Sequence, residues 1–259
     1  VLEAKIFFGE KLVASIGSEF IENNGEDRKR QEKMSAEEIK QDCETKAFTR
    51  LAGRIKKRFP RLPILLLADS LYASKPVMDL CREYKWEFLI RYKKGSIPSI
   101  AEEYEKIPEK GKTEKAEFVN DIDYEGKPVH VLRYREEKAG ETTEFQWLSS
   151  IRITKGNAEK MAETGRKRWK IENEGFNRQK NWQGSITHTC SWDDQAQKNH
   201  YLMAQISDFM KQLYEYYYLE KNGIKKKQKN ISSDLLESFG QQITKEDIFP
   251  VDEYTQSYN

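Results

Sequence analysis

The sequence predicts an α/β fold: a mixed sheet flanked by helices, with a β-rich insertion ahead of the last core helices. Three observations carry that expectation. An unbroken apolar run at residues 63–68 is followed by helix-start signals and a second apolar run at residues 86–92, the pattern of a strand–helix–strand unit. Long segments with a helical apolar stripe lie on both sides of that unit. Between the second strand and the later helices come short alternating runs bounded by turn residues.

Taken in order, residues 1–8 and 12–21 are β-rich and separated by Gly9-Glu10, a hairpin connection. Residues 23–33 are polar and of mixed charge, an exposed loop. Ser35-Ala36-Glu37-Glu38 fits a capping box, in which Ser and Glu side chains satisfy the first amides of a helix. Behind it Ile39, Cys43, Ala47, Leu51, Ile55 and Phe59 recur every four residues, and Pro60 and Pro63 end the helix. The run Pro63-Ile64-Leu65-Leu66-Leu67-Ala68 shows no polar alternation, so a strand buried on both faces is expected, with Asp69 directly after it. Ser74 and Pro76 open a helix whose inner face is Val77, Leu80, Cys81 and Tyr84. Residues 86–92 form the next strand, expected to lie parallel to the first.

Beyond residue 93 charges dominate. The runs 116–122 and 128–134 read as an antiparallel insertion, and 145–154 as a further strand. Residues 157–181 read as one long helix with Met161, Gly165, Trp169 and Phe176 on one side. A second, at about 194–221, carries Leu202, Met203, Ile206, Phe209, Met210, Leu213 and Tyr217. A short helix is expected near 235–243, and no internal repeat is visible. These elements divide the chain into 1–94 for the first part of the core, 95–150 for the insertion, 151–221 for helices completing the core, and 222–259 for a polar tail.

A chain of 259 residues is long enough to bury a substantial core. A net charge of only +2 gives no chain-wide attraction to nucleic acid, so the position of the charge matters more than its sum. Two basic runs stand out: Arg50, Arg54, Lys56, Lys57, Arg58 and Arg61, and then Lys225, Lys226, Lys227 and Lys229. Each reads equally as a DNA contact or as a solvated helix face and a polar linker. Cys43, Cys81 and Cys190 have no paired spacing, which points to reduced thiols in a cytosolic protein. There is no membrane-length apolar stretch and no signal-peptide pattern. The chain opens at Val1 inside a β-rich run, as expected of a chain that has lost residues upstream.

Hairpin, helix, apolar strand ending in Asp, helix, strand, insertion, helix carrying Glu: this is the order of an RNase H-like fold whose first strand is missing. Sites of that kind cluster carboxylates to bind two Mg²⁺ ions about 3.5–4 Å apart, one activating the attacking oxygen and the other stabilising the leaving one. Oxygen ligands suit Mg²⁺, and the carboxyl end of a parallel strand is where such a site is expected. Asp69 has that position; its ordinary alternative is a turn residue leading into the next helix. Glu172, four residues after Arg168, is in its ordinary reading a surface ion pair worth roughly a few tenths of a kcal/mol.

Arg168-Trp169-Lys170-Ile171-Glu172-Asn173-Glu174-Gly175-Phe176 resembles the Glu-bearing helix of DDE transposases from bacterial insertion sequences. Their signature is a Tyr, two residues, an Arg, three residues, the catalytic Glu, six residues and a Lys. Arg168 and Glu172 fit; Gly165 stands at the Tyr position and Gln179 at the Lys position, with Lys180 one place later. The resemblance extends to Leu65-Leu66-Leu67-Ala68-Asp69, where the family has its second catalytic Asp, and covers roughly residues 1–215. It implies that Asp69 and Glu172 are catalytic and metal-binding, with two Mg²⁺ ions as cofactor and Mn²⁺ as a substitute. It further implies that Arg168 and Lys180 hold DNA phosphate, and that Lys180, roughly two turns on, shares the helix face of Glu172. Trp147 is the insertion aromatic that would stack on an extruded base, although packing within the insertion is its commoner role. The implied partners are transposon-end and target DNA and a second copy on DNA. The implied location is the cytoplasm, with the nucleoid when bound to DNA.

The family's first Asp lies on the strand ahead of the opening hairpin. Residues 1–24 contain no Asp, and Asp27 in the charged loop is a poor substitute. Two of three carboxylates are therefore expected, too few for efficient cleavage by this chain alone. A non-catalytic DNA-binding remnant and an RNase H-like nuclease with another substrate are the alternatives. Among other residues, His188 and His200 read as local hydrogen-bonding groups rather than ligands. Asp193 and Asp194 read as the N-terminus of the next helix. Tyr214, Tyr216, Tyr217 and Tyr218 point in different directions on a helix, which favours mixed core and surface roles over a stacking platform. Glu174 points about 200° away from Glu172 on an ideal helix.

Overall fold

A computed structural model of the chain describes residues 1–8, 12–21, 36–93, 95–138, 140–181, 186 and 190–239. They fall into two compact units, one built from residues 1–7 and 13–178 and the other from 8–12 and 179 onward.

In the first unit, strands β1 (Leu2–Phe8) and β2 (Leu12–Glu19) pair as a two-stranded sheet. Helix α1 (Ala36–Arg58) comes next, with Ala47, Leu51, Ala52 and Ile55 buried along the expected stripe. A Cβ on Gly17 would sit 2.9 Å from Leu51 Cδ1, so a larger residue there would make the end of that side chain shift. Arg50 and Arg54 each bridge Glu19 at 2.5 Å, and Lys56 donates to the Pro60 and Tyr84 carbonyls. Half of that basic run is thus engaged within the protein.

The main sheet has six strands in the order β3-β4-β8-β7-β6-β5. β3 (Leu65–Ala68) pairs in parallel with β4 (Glu87–Arg91) across a 3-10 turn, Ser70–Tyr72, and α2 (Lys75–Glu83), as expected from the strand–helix–strand pattern. α3 (Pro98–Lys106) comes next, then β5 (Gly111–Lys112), β6 (Ala116–Tyr124), β7 (Lys127–Lys138) and β8 (Glu141–Ser149). These strands are antiparallel, and β8 returns to pair with β4, so they extend the sheet that begins at β3. Positive φ at Glu125 (56°) and Gly126 (76°) makes the tight turn between β6 and β7 that suits a twisted hairpin.

The sheet is buried on both sides, and the alternation along β4 shows how. Phe88 and Ile90 join α1 and α2 in one core, whereas Leu89 joins Trp147, Leu132 and Met161 in the other, under α4 (Ala158–Arg166). β3 departs from expectation. Among the described residues it pairs only with β4, so it is an edge strand; Leu65 is 36% exposed and the rest of the strand half-buried. Its apolar run had implied burial on both faces, and the missing neighbour is the physical difference.

The expected single helix over 157–181 is also interrupted. After α4 the chain tightens at Lys167–Arg168, where the Lys170 and Ile171 amides bond three residues back to Lys167 and Arg168. A π-helical segment, Ile171–Phe176, then leads into α5 (Asn177–Asn181). The tight turn changes the facing of the residues beyond it, so Met161 and Gly165 are buried while Trp169 is 58% exposed.

The second unit holds α6 (Asp194–Leu213), a π-helical segment Tyr214–Glu220 and α7 (Gln228–Phe239). Asp193 caps α6 by accepting from the Ala196 amide at 2.7 Å, as its position predicted. Gln179 and Gln205 exchange two hydrogen bonds of 2.9 Å, and Gln212 donates to Asp208 at 3.0 Å. α7 covers the helix expected near 235–243 as far as Phe239; the rest of that expectation lies outside the described residues.

Candidate functional site

The register of the sheet assembles the candidate site. Ala68 of β3 is level with Ile90 of β4, so Asp69 is level with Arg91, and Arg91 in turn pairs with Trp147 of β8. Adjacent strands lie about 4.8 Å apart, so these three positions form one short row at the carboxyl end of β3 and β4. Asp69 uses its side chain as a cap, accepting from the Leu71 amide at 3.0 Å. Its charge also reaches Tyr72, whose hydroxyl donates to Glu44 of α1 at 3.1 Å. Burial first, then the Glu44 carboxylate, pushes the Tyr72 phenol well above its ordinary value, so it stays protonated.

Arg91 stands over two stacked rings, 4.7 Å from the centroid of Phe145 and 5.3 Å from that of Trp147. Burial, with the Arg168 charge second, lowers its affinity for a proton, and its Nη1 has no hydrogen-bond partner. Arg166 approaches Phe145 at 5.1 Å while bridging Glu136 at 2.7 Å. Beside these groups opens a cleft of about 370 Å³, lined by Phe145, Glu163, Arg166, Lys167, Trp169 and Lys170. Three cations and one carboxylate make its rim basic, and Trp169 offers an exposed aromatic face.

Arg168 and Glu172 form the ion pair expected from their spacing, at 2.7 Å, with the Glu172 side chain 55% exposed. Trp147 is only 2% exposed: it packs against the backbone of Gly165, where a Cβ would lie 2.5 Å from Trp147 Nε1. The ring therefore fills the space beside the position where the resemblance expects a Tyr. Lys180 is exposed, while its neighbour Gln179 is buried in the amide network of the second unit. His200 is half-buried on α6; His188 and Asp27 lie outside the described residues.

Sequence reasoning missed Arg91, Arg166, Lys170 and the cleft. The run Arg166-Lys167-Arg168-Trp169-Lys170, with an aromatic among cations, was the signal that could have found it. Divalent metals serve phosphoryl chemistry through clustered carboxylates. Among the described residues, however, no three His, Cys, Asp or Glu side chains gather closely enough to hold an ion. Asp69 and Glu172 are two acidic groups, each already engaged by a neighbour, so these residues do not complete a metal site.

The six-stranded mixed sheet with helices on its faces is consistent with an RNase H-like domain. Residues 41–205, more than half of the chain, match the family described as Transposase DDE domain, and the chain belongs to that family. No curated protein matches it. Among the described residues no helix is long and apolar enough to cross a membrane.

Proposed function

We propose that this protein is the catalytic domain of a DNA transposase, which cuts strands at transposon ends and joins the freed 3′-hydroxyl to target DNA. One observation carries the reading beyond the family match. Asp69 stands directly after β3, next to the end of β4 that bears Arg91, and the Arg168–Glu172 ion pair keeps the Arg-to-Glu spacing of the resemblance. A phosphodiester entering the cleft would meet the basic side chains of Arg166, Lys167 and Lys170. Trp169 would take a base or sugar face, a role that buried Trp147 is badly placed to play.

Asp69 and Glu172 are, on this reading, two of the three metal-binding carboxylates, with Mg²⁺ or Mn²⁺ as the expected ions. Arg168 and Lys180 hold phosphate. The π-helical segment supports the choice of Lys180. Its bonds close over five residues, as from the Asn177 amide to the Glu172 carbonyl, in place of four. That is an excess of one residue, the same offset by which Lys180 departs from the family spacing.

A second reading, a DNA-binding form without cleavage, is favoured by the lack of a third clustered acidic group among the described residues. A supercoiled-plasmid nicking assay with Mg²⁺ or Mn²⁺, run beside a binding assay, separates the two. Robust nicking that disappears in Asp69→Ala supports catalysis by this chain; salt-sensitive binding without nicking supports the second reading. No DNA binding even at low salt would sink both.

A further inference from the structure

The sequence favours mixed core and surface roles for the tyrosines at 214–218, and in the structure two of them are open. Tyr214 and Tyr216 are half-buried beside buried Leu219, whereas Tyr217 and Tyr218 are each 53% exposed. The π-helical segment arranges these rings as two pairs. Tyr214 and Tyr218 stack with centroids 5.1 Å apart and planes inclined by 14°, so one face of Tyr218 is covered and its exposure lies on the rest of the ring. Tyr216 and Tyr217 meet edge to face at 5.0 Å, and Lys221 Nζ stands 4.9 Å from the Tyr217 centroid.

The chain then turns so that further cations come back to the same rings. The Ile224 amide donates to the Leu219 carbonyl at 2.8 Å and the Gly223 amide to the Glu220 carbonyl at 3.0 Å, with Gly223 at φ 68°. This is a Schellman stop, which needs the left-handed backbone that glycine adopts freely. Beyond it Lys225, Lys226 and Lys227 are all exposed. Lys226 pairs with Asp234 of α7 at 2.5 Å. That hydrogen bond above all, with Tyr214 and Tyr218 as lesser contributors, raises its proton affinity, which sets its charge beside the stacked rings. Between residues 214 and 230 five lysines stand against two glutamates, a local excess of three positive charges in a chain whose whole net charge is +2.

We propose that Tyr217, Tyr218 and the lysines at 221–227 form a binding site for single-stranded nucleic acid. An unpaired base continues the Tyr214–Tyr218 stack, and the lysines take the phosphates that flank it. Two features select this ligand. A ring face on the outside of a helix meets a base only when that base is free of its own stack, as in a single strand. A duplex, or an acidic protein, would engage the lysines and leave the rings without a partner. The parallel ring pair, by contrast, matches the flat face of a base and holds a cation beside it. The site lies within the second unit and shares no residue with the cleft between Phe145 and Lys170. It therefore stands or falls separately from the transposase reading.

Fluorescence anisotropy of the full chain with three labelled probes tests the proposal: a short oligothymidylate, an abasic strand of the same length and a duplex of the same length. Wild type should bind the oligothymidylate about tenfold more tightly than the abasic strand, the gain that stacking of one base supplies. Tyr217→Ala with Tyr218→Ala should remove that preference, with duplex affinity held within about twofold and the far-UV circular dichroism spectrum unchanged. Tyr217→Phe with Tyr218→Phe should keep it, since stacking needs the ring and not the hydroxyl. Lys225→Ala with Lys227→Ala should weaken both single strands alike and lower the slope of log affinity against log salt by about 1.4. Equal wild-type affinity for the two single strands overturns the proposal, as does a preference that survives the double Ala variant. Loss of the preference in the double Phe variant overturns stacking on these rings.

Discussion

Asp69 combines two jobs that substitution can separate. Its carboxylate caps the turn after β3, and at the same time it is the acidic group of the candidate site. Asn caps about as well as Asp, whereas Ala forfeits about 1 kcal/mol. Asp69→Asn is therefore expected to melt within a degree or two of wild type yet lose any metal-dependent nicking, while Asp69→Ala loses both. Gly165 is constrained by space instead. Because Trp147 occupies the place of its Cβ, Gly165→Ala should cost about 1–3 kcal/mol through overpacking, read from denaturant unfolding. His130 gives a pH signature. It is 6% exposed and accepts the Asp121 amide through Nδ1, so burial lowers its proton affinity below the ordinary value. The unfolded chain then binds the proton more readily. Stability should fall as pH drops below about 6.5, the ordinary histidine pKa, and level off once the folded form protonates as well. His130→Gln should flatten that limb of a melting-temperature profile.

At the scale of elements, legibility tracked physics that is local. β3, α2 and β4 could be read because an apolar run, a Ser/Pro start and a second run each act within a few residues. The row of Asp69, Arg91 and Trp147 could not, since it depends on a register between strands 22 and 56 residues apart. The stripe at 157–181 assumed a constant turn per residue; the tight turn at Lys167–Arg168 and the π-helical segment both violate that assumption. On α6 the periodicity identified the apolar side correctly. It carries no information on what covers that side, and Gln205, Asp208 and Gln212 are the buried positions. The cleft that emerged from the broken helix makes its own prediction. Arg166→Ala together with Lys170→Ala should weaken DNA binding across all sequences and reduce the slope of log affinity against log salt by about 2. A salt titration of fluorescence anisotropy measures it.

For the whole molecule, the two units divide the work along the sequence. The sheet unit holds Asp69, Arg91 and the cationic cleft, while the helical unit holds the buried Gln179–Gln205 amide pair. The carboxylates show how far the sequence could be trusted at this scale: their order and strand context were legible, but whether a third group joins them depends on contacts no local pattern encodes.

The edge formed by β3 has a consequence for handling the protein. Leu65, Leu66 and Leu67 present an apolar ladder whose outer hydrogen-bonding groups meet no other strand among the described residues. Such an edge templates β-pairing between molecules, which native sheets ordinarily block with charge, proline or a bulge. Concentrated solutions should therefore drift toward β-rich, thioflavin-binding aggregates seeded at residues 64–68. Leu65→Lys, at the most exposed position of the strand, should slow that drift while leaving the fold intact.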